Sequence, residues 1–545
     1  VKLTKQANEF LDIYAKEKLS IETEEKIASA IFKKFSEIFP NISTQSQSNK
    51  VELIDLWLKA HVDQYFTKVK KYDPDEWNKN TTVWIPVHDI VDITPEIQYL
   101  LNIPIVRRCN AIKQLSTAYT IFPGAKHTRD EHQLGTLFIM RKFCEHLIEE
   151  EEISNTDKIT LEVAALIHDL AHPPLGHSLD SIKEFLVPSH IISYDRKIDK
   201  TLLEIYLTDE KSQLKGAIES INTINIDLLK SIFFRTDNYP PAYGDLLDSE
   251  IDADRMDYIL RDGIHTGITK IVKIDNIIRH SHFCDLKSEG KKRISLAFDE
   301  NIESSLLGFL NDRKNMYDQV YENDEKLILD EVIVHSIFCT LKINYGQSNN
   351  EITEKFLLLT DCELNEFLRL FSPSGIYNQI NSQLNGKPLY SLINKYNLQD
   401  QFDFDFYRSL KIAVALYSKT AGFQYKIDDE IKFAKFCDIK CNIPSLEIPP
   451  ILFSLPHYIP SDDELIQNYD REGTKKRGLK DLVIRKSDGS CGYFKDTSKT
   501  QKEKNISLNK FLLIGSKEYI QTNSVIEKFK EFMIDKYLPP EAKQH

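Results

Sequence analysis

The residues best suited to chemistry lie between Ala164 and Asp180, where three histidines (His168, His172, His177) and two carboxylates (Asp169, Asp180) fall within thirteen positions. His168 and Asp169 close an apolar helical pattern, a place where a polar pair is costly unless something satisfies it. A divalent cation would do so, because imidazole and carboxylate together suit a first-row or hard divalent ion. Such an ion needs further ligands from elsewhere in the chain. Two candidates stand out: His132, near the start of a helix predicted to run on through Met140 and Phe143, and Asp254, inside the Glu250–Asp262 segment. The expectation is one ion per site (Mn, Mg, Fe or Zn) held by His132, His168, Asp169 and Asp254. It would leave positions open for a water and a substrate oxygen.

A lone His-Asp dipeptide carries little information, but three such segments in this order, with their flanking residues, resemble the HD superfamily. Within it the chain is most similar to the dNTP triphosphohydrolases, the family of deoxynucleotidases and dGTPases. Four further segments carry that likeness: Pro86–Asp89, Ile112–Leu115 with Tyr119–Ala125, His172–His177, and Arg313–Tyr321. The similarity covers about residues 81 to 340. It implies a mostly α fold with an HD-domain helical core. It also implies hydrolysis at the α-phosphorus of a dNTP, with dGTP a preferred substrate, to give deoxynucleoside and tripolyphosphate. The cellular setting would be nucleotide-pool control or antiphage dNTP depletion.

The resemblance also distributes roles. His177 and Asp180 stand where the family has its acid dyad, the imidazole protonating the leaving 5′-oxygen, and His172 stands where a phosphate contact is made. Arg129, Arg255 and Arg313 supply the cations that a triphosphate needs in an acidic protein, with guanidinium forks suited to bidentate phosphate binding. Gln114, Leu115, Tyr258, Asp262, Tyr317 and Tyr321 match the sugar-holding segments. Gln114 and Asp262 would bond the 3′-hydroxyl, and a tyrosine under C2′ would reject ribose. A nucleotide activator or inhibitor and assembly as a dimer, tetramer or hexamer are further expectations from the family.

The pattern also breaks. Lysine is usual where Arg255 stands. The family's later His-Glu pair is missing: the corresponding region, Ser189–Lys197, offers only His190. Asn102, Arg107 and Asn110 occupy the places of a guanine-reading activator site, so activation by GTP is not expected. Two alternatives therefore stand beside the dNTPase: an HD phosphodiesterase or nuclease acting on cyclic nucleotides or nucleic acid, and a nucleotide-sensing scaffold without turnover.

The elements that must position these groups are helical. Residues 1–80 read as an amphipathic N-terminal region, in which Val51–Leu58 repeats apolar residues at helical spacing; nothing marks it as a sterile-alpha-motif domain. Residues 81–345 form the HD block, 346–420 a helical extension, and 421–545 a mixed α/β appendage rich in proline and short β-prone pieces. With 41% hydrophobic and 28% charged residues, the composition is that of a globular chain. Its longest apolar runs, such as Ile412–Tyr417, fall far short of the roughly 20 residues that span a bilayer. No membrane association and a cytoplasmic address are expected. A net charge of −13 disfavours a surface that coats nucleic acid. Eight cysteines without metal-ribbon spacing are expected to be reduced and mostly buried.

Overall fold

The chain was analysed as a computed structural model that describes residues 32–39, 46–182, 198–235, 239–268, 273–288, 291–345, 355–384, 390–397, 422–436, 451–454, 482–494, 510–516 and 522–537, with a few isolated positions between. Helix α1 (Gln47–Phe66) starts where the Ser46 side chain accepts from the Asn49 amide. It buries Trp57 against Phe367 and Phe371, with ring centroids at 5.7 and 6.3 Å. The helix before residue 80 and the chain beyond 346 thus share one apolar core. A short antiparallel hairpin follows, β1 (Thr81–Ile85) with β2 (Asp89–Ile93), in which Val83 faces Val91.

The HD block is built on α2 (Arg129–Glu149), α3 (Asn155–Ile167), α4 (Ile198–Thr208) and α5 (Ala253–Thr266). Local sequence sets their ends. Ser154 caps α3, Asp252 caps α5 through the Arg255 amide, and Gly267 stops α5 in the left-handed conformation at φ +74°. Helix α2 packs against both α3 and α5. Gly135 permits the α2–α5 approach, since a Cβ there would collide with Asp257 Oδ1 and Arg261 Nη2. Further along, β3 (Ser281–Ser288) and β4 (Lys291–Asp299) form a second antiparallel hairpin. Helix α6 (Glu303–Met316) then runs into a π turn over Tyr317–Tyr321, and α7 (Asp324–Tyr345) carries on from there.

Helix α8 (Asp361–Phe371) opens with a capping box between Thr360 and Glu363. The stretch expected to be a helical extension contains a strand, β5 (Tyr390–Asn397). Its buried Tyr390 and Tyr396 and bulged pairing with a later strand follow a sheet rather than a helix. After α9 (Gly422–Phe436), strands β6 (Ile451–Ser454), β7 (Val483–Arg485), β8 (Cys491–Tyr493) and β9 (Lys510–Ser516) precede α10 (Thr522–Tyr537). The sheet orders are β5-β9-β6 and β3-β4-β7-β8, so the appendage extends a sheet begun in the HD block. Strand alternation explains how β9 sits between two cores: Leu512 and Ile514 face the main one, while Phe511 and Leu513 face an aromatic cluster with Phe433, Phe453 and Phe529. The fold is mostly α with a mixed C-terminal part. Among the described residues, no helix is long and apolar enough to cross a membrane.

The expectation for the cysteines is corrected in one place. Cys284 of β3 and Cys491 of β8 are joined as a disulfide across the sheet, with Cα atoms 6.3 Å apart, whereas Cys109, Cys144 and Cys339 are in no disulfide among the described residues. Neighbouring strands bring together two residues 207 positions apart, a proximity that no spacing rule reveals.

A buried ionic group fastens α9 to α7. His335 Nε2 lies 2.8 Å from Glu430, Lys426 reaches Glu331, and the Phe453 amide and carbonyl close on Glu430 and Lys426 at 2.7 Å each. Burial opposes a charge on His335, as does Lys426, but Glu430 and Glu331 outweigh them and push its pKa up to about 9 from 6.5. Because the folded value is raised, this contribution to stability is complete below pH ~6.5 and lost as pH rises through about 9. The thermal midpoint of the wild type is therefore expected to fall across that window, and that of His335→Gln to fall less. Equal slopes for the two proteins would refute the assignment.

Candidate metal centre

Three separated helices deliver one cluster of ligands. His132 stands in the first turn of α2, His168 and Asp169 follow the last turn of α3, and Asp254 stands in the first turn of α5. His132 Nε2 is 3.1 Å from His168 Nε2, 3.1 Å from Asp254 Oδ1 and 3.7 Å from Asp169 Oδ2. His168 Nε2 is 3.4 Å from Asp254 Oδ1 and 3.5 Å from Asp169 Oδ1. Ligands at about 2.1 Å from a divalent ion stand roughly 3.0–3.5 Å from one another, so the set fits a cation.

Hydrogen bonds on the far side of each ring select the tautomer. His132 Nδ1 lies 2.8 Å from Asp257 Oδ2, and His168 Nδ1 lies 2.7 Å from the Ala165 carbonyl. Both partners can only accept, so each Nδ1 carries the proton and each Nε2 presents its lone pair to the shared space. Asp257 is itself held by two bonds from Arg261, at 2.8 and 2.9 Å, and by His88 at 2.7 Å. Burial opposes ionisation of Asp257, but Arg261 and the two imidazoles hold its carboxyl well below the usual range. Asp169 is likewise held low: His172, His168 and Arg129 outweigh burial. Without a cation, carboxylates Asp254 and Asp257 push His132 up to about 10 against the cost of burial. The pocket thus favours a positive charge at its centre.

A second group adjoins the first. His172 and His177 face each other through Nε2 atoms 3.2 Å apart, and Asp199 Oδ2 from α4 lies 3.8 Å from His172 Nε2. Helix α3 stops before His172, so the four-residue spacing from His168 is not a shared helical face. Instead Leu175 (φ 64°) and Gly176 (φ 53°) turn the loop back toward Arg129. A Cβ on Gly176 would stand 2.8 Å from Arg129 Nη2. The side chain of Asp180, and all of His190, lie outside the described residues.

Arg129 bonds Asp169 at 2.5 Å, Arg255 pairs with Asp252, and Arg313 bonds Glu250 at 2.8 Å. The Nε atoms of Arg129 and Arg255 are buried without a partner. Next to the ligands, Tyr258 stands 6.4 Å from the His132 ring and 6.0 Å from Tyr321, which contacts Tyr317 at 5.0 Å; Arg313 lies over Tyr317 at 5.8 Å. Tyr321 donates to Asp262 at 2.7 Å, and His127 meets the other Asp262 oxygen at 2.8 Å. Leu115 is buried, and Gln114 presents a buried Oε1 with no partner.

Three contributors were missed in the sequence. Asp257 was legible, since it lies three residues after Asp254 and four before Arg261, both helical-neighbour spacings. Asp199 looked like an ordinary polar residue opening an amphipathic helix. Arg108 gave no signal either. Fully buried, it donates to the carbonyls of Leu170, His172, Leu357, Leu358 and Leu359 at 2.6–3.5 Å, bracing the loop that carries His172.

The helices and ligand order define an HD domain, and the HD-domain family model matches residues 129–262. Residues 129–262 thus match the HD-domain family, and the chain is similar to HD-domain, dNTPase-like proteins. Among its relatives, an uncharacterized protein of Methanocaldococcus jannaschii is 29% identical over 297 residues, covering 54% of this chain and 55% of that one. Human deoxynucleoside triphosphate triphosphohydrolase SAMHD1 is 25% identical over 273 residues, covering 46% of this chain and 42% of the human protein. The chain thus spans about half the length of these relatives. Its fold is similar to that of a phosphohydrolase from Bacteroides thetaiotaomicron, with a TM-score of 0.53, 19% identity, and coverage of 80% of this chain and 100% of the other.

If Asp257 orients His132, then Asp257→Asn should weaken divalent-ion affinity by about 10–100-fold, the usual effect of losing such a partner. Gly135→Ala, which thrusts a methyl against Asp257, should act the same way. Titration with Mn²⁺ checks both, and unchanged affinity in Asp257→Asn would remove that role.

Proposed function

We propose that the chain is a metal-dependent phosphohydrolase that cleaves dNTPs at the α-phosphorus to deoxynucleoside and tripolyphosphate, with dGTP a preferred substrate. The observation that carries this reading is the cluster of His132, His168, Asp169 and Asp254 with Tyr258 beside it, 6.4 Å from the His132 ring. A divalent ion in that cluster would supply charge to a phosphate oxygen and acidify a water.

The protein's own groups account for the remaining needs. Arg129, Arg255 and Arg313 take the phosphates, two of them leaving Asp252 and Glu250 to do so, which offsets part of the cost of desolvating them. Gln114 accepts from the sugar 3′-hydroxyl through its unpartnered Oε1. Asp262, already engaged by Tyr321 and His127, holds Tyr321 in place beside Tyr258, where the ring crowds C2′ and rejects a ribose hydroxyl. Leu115 and Tyr317 complete the substrate-binding set. His177, with Asp180, serves the leaving 5′-oxygen, and His172 the phosphate.

This reading extends to nucleotide-pool control or antiphage dNTP depletion, a homo-oligomeric assembly and a nucleotide regulator. A phosphodiesterase or nuclease on cyclic nucleotides or nucleic acid is the second reading, favoured by the additional ligand group at His172, His177 and Asp199.

Purified protein with Mn²⁺ and each dNTP in turn should release tripolyphosphate, and chelation should abolish release until Mn²⁺ is restored. Asp254→Ala should lower kcat/KM at least about a thousandfold, while Arg313→Ala should chiefly raise KM, by about tenfold. Turnover of cyclic nucleotides or oligonucleotides alone would favour the second reading; full activity in Asp254→Ala would sink both.

A further inference from the structure

The two histidine pairs of this site have the same geometry. His132 and His168 aim Nε2 at each other across 3.1 Å, and His172 and His177 do so across 3.2 Å. Two imidazole lone pairs cannot sit at that distance without a proton or a cation between them. For His172 the tautomer is set as in the first pair: its Nδ1 lies 3.2 Å from the Asp169 backbone carbonyl, which can only accept, so Nε2 holds the lone pair.

The third member is Asp199. It is 4% exposed, and its Oδ1 is buried with no hydrogen-bond partner. An orphaned carboxylate oxygen at that depth is costly. The ligand atoms of His172, His177 and Asp199 all lie within 4.8 Å of one another.

We propose that His172, His177 and Asp199 form a second divalent-cation site beside the first. This rests on reading the first cluster as a metal centre. Two nitrogens and one carboxylate suit Zn²⁺, Co²⁺ or Mn²⁺ and leave positions open for phosphate oxygens. The neighbouring guanidinium of Arg129 does not bar a cation, because Asp169 neutralises it at 2.5 Å. With one carboxylate against the first site's two, the second site is the weaker and fills second.

Co²⁺ titration of the full-length protein, followed by equilibrium dialysis and by visible d–d absorbance, tests this without reference to turnover. The wild type should bind two ions per chain in two steps. Asp199→Asn and His177→Gln should each keep the tight step and lose the weak one, with far-UV circular dichroism unchanged, and Asp254→Asn should lose the tight step. His177 is exposed, so its replacement guards against a folding defect at the buried Asp199. A single wild-type step that survives in both Asp199→Asn and His177→Gln would overturn the second site and leave the first standing. No binding at all would overturn the metal centre itself, and the second site with it.

Discussion

The site depends on one interaction, the buried contact between Asp257 and His132. A carboxylate taken out of water is tolerable only when its oxygens are paired, and stranding one by removing its partner costs about 3–5 kcal/mol. Asp257 meets that demand by accepting from Arg261, His88 and His132 together. In doing so it fixes the proton of His132 on Nδ1 and turns Nε2 toward His168. Gly135 is part of the same arrangement, because only a residue without a Cβ lets α2 come close enough to α5 for the carboxylate to reach the ring. Fold and ligand field are joined here: the helix crossing that closes the core also chooses the tautomer.

Charge explains the rest of the pocket. The chain carries a net −13, yet the triphosphates proposed as its substrates are strongly anionic. Arg129, Arg255 and Arg313 rest on Asp169, Asp252 and Glu250, so no guanidinium is left bare in a buried place. Such pairing lowers the cost of keeping cations ready, and phosphate oxygens then exchange for carboxylates of similar geometry. Cations bound in the pocket would cancel the carboxylates they touch and shift the balance further toward the substrate.

Much of this was legible in the chain. The pair His168 and Asp169 was readable because it interrupts an apolar helical pattern, and His132 and Asp254 joined it through the likeness to the HD superfamily; the structure brings the four side chains together. The ends of α3 and α5 at Ser154, Asp252 and Gly267 follow from local conformational preferences. What escaped were the long-range contacts. Arg108 supports a loop 62–64 residues away and another about 250 away, and Asp199 becomes a site residue only because α4 folds back over the His172 loop. The strand at Tyr390–Asn397 was hidden for the same reason: its pairing partner, β9, lies more than a hundred positions later.

These distant contacts bear on what the part of the chain outside the HD match is for. Asp361, the first residue of α8, accepts from the Lys113 amide at 2.9 Å and from the Leu175 amide at 3.3 Å. Arg108 joins the carbonyls of Leu357, Leu358 and Leu359 to those of Leu170 and His172. The segment just before α8 and the first turn of that helix therefore clamp both the Gln114 segment and the histidine loop. A loop with two residues at positive φ, Leu175 and Gly176, holds its shape only when its surroundings over-determine it. That constraint comes from outside residues 129–262, so the HD helices supply the ligands while the chain beyond them fixes where the second pair of histidines points.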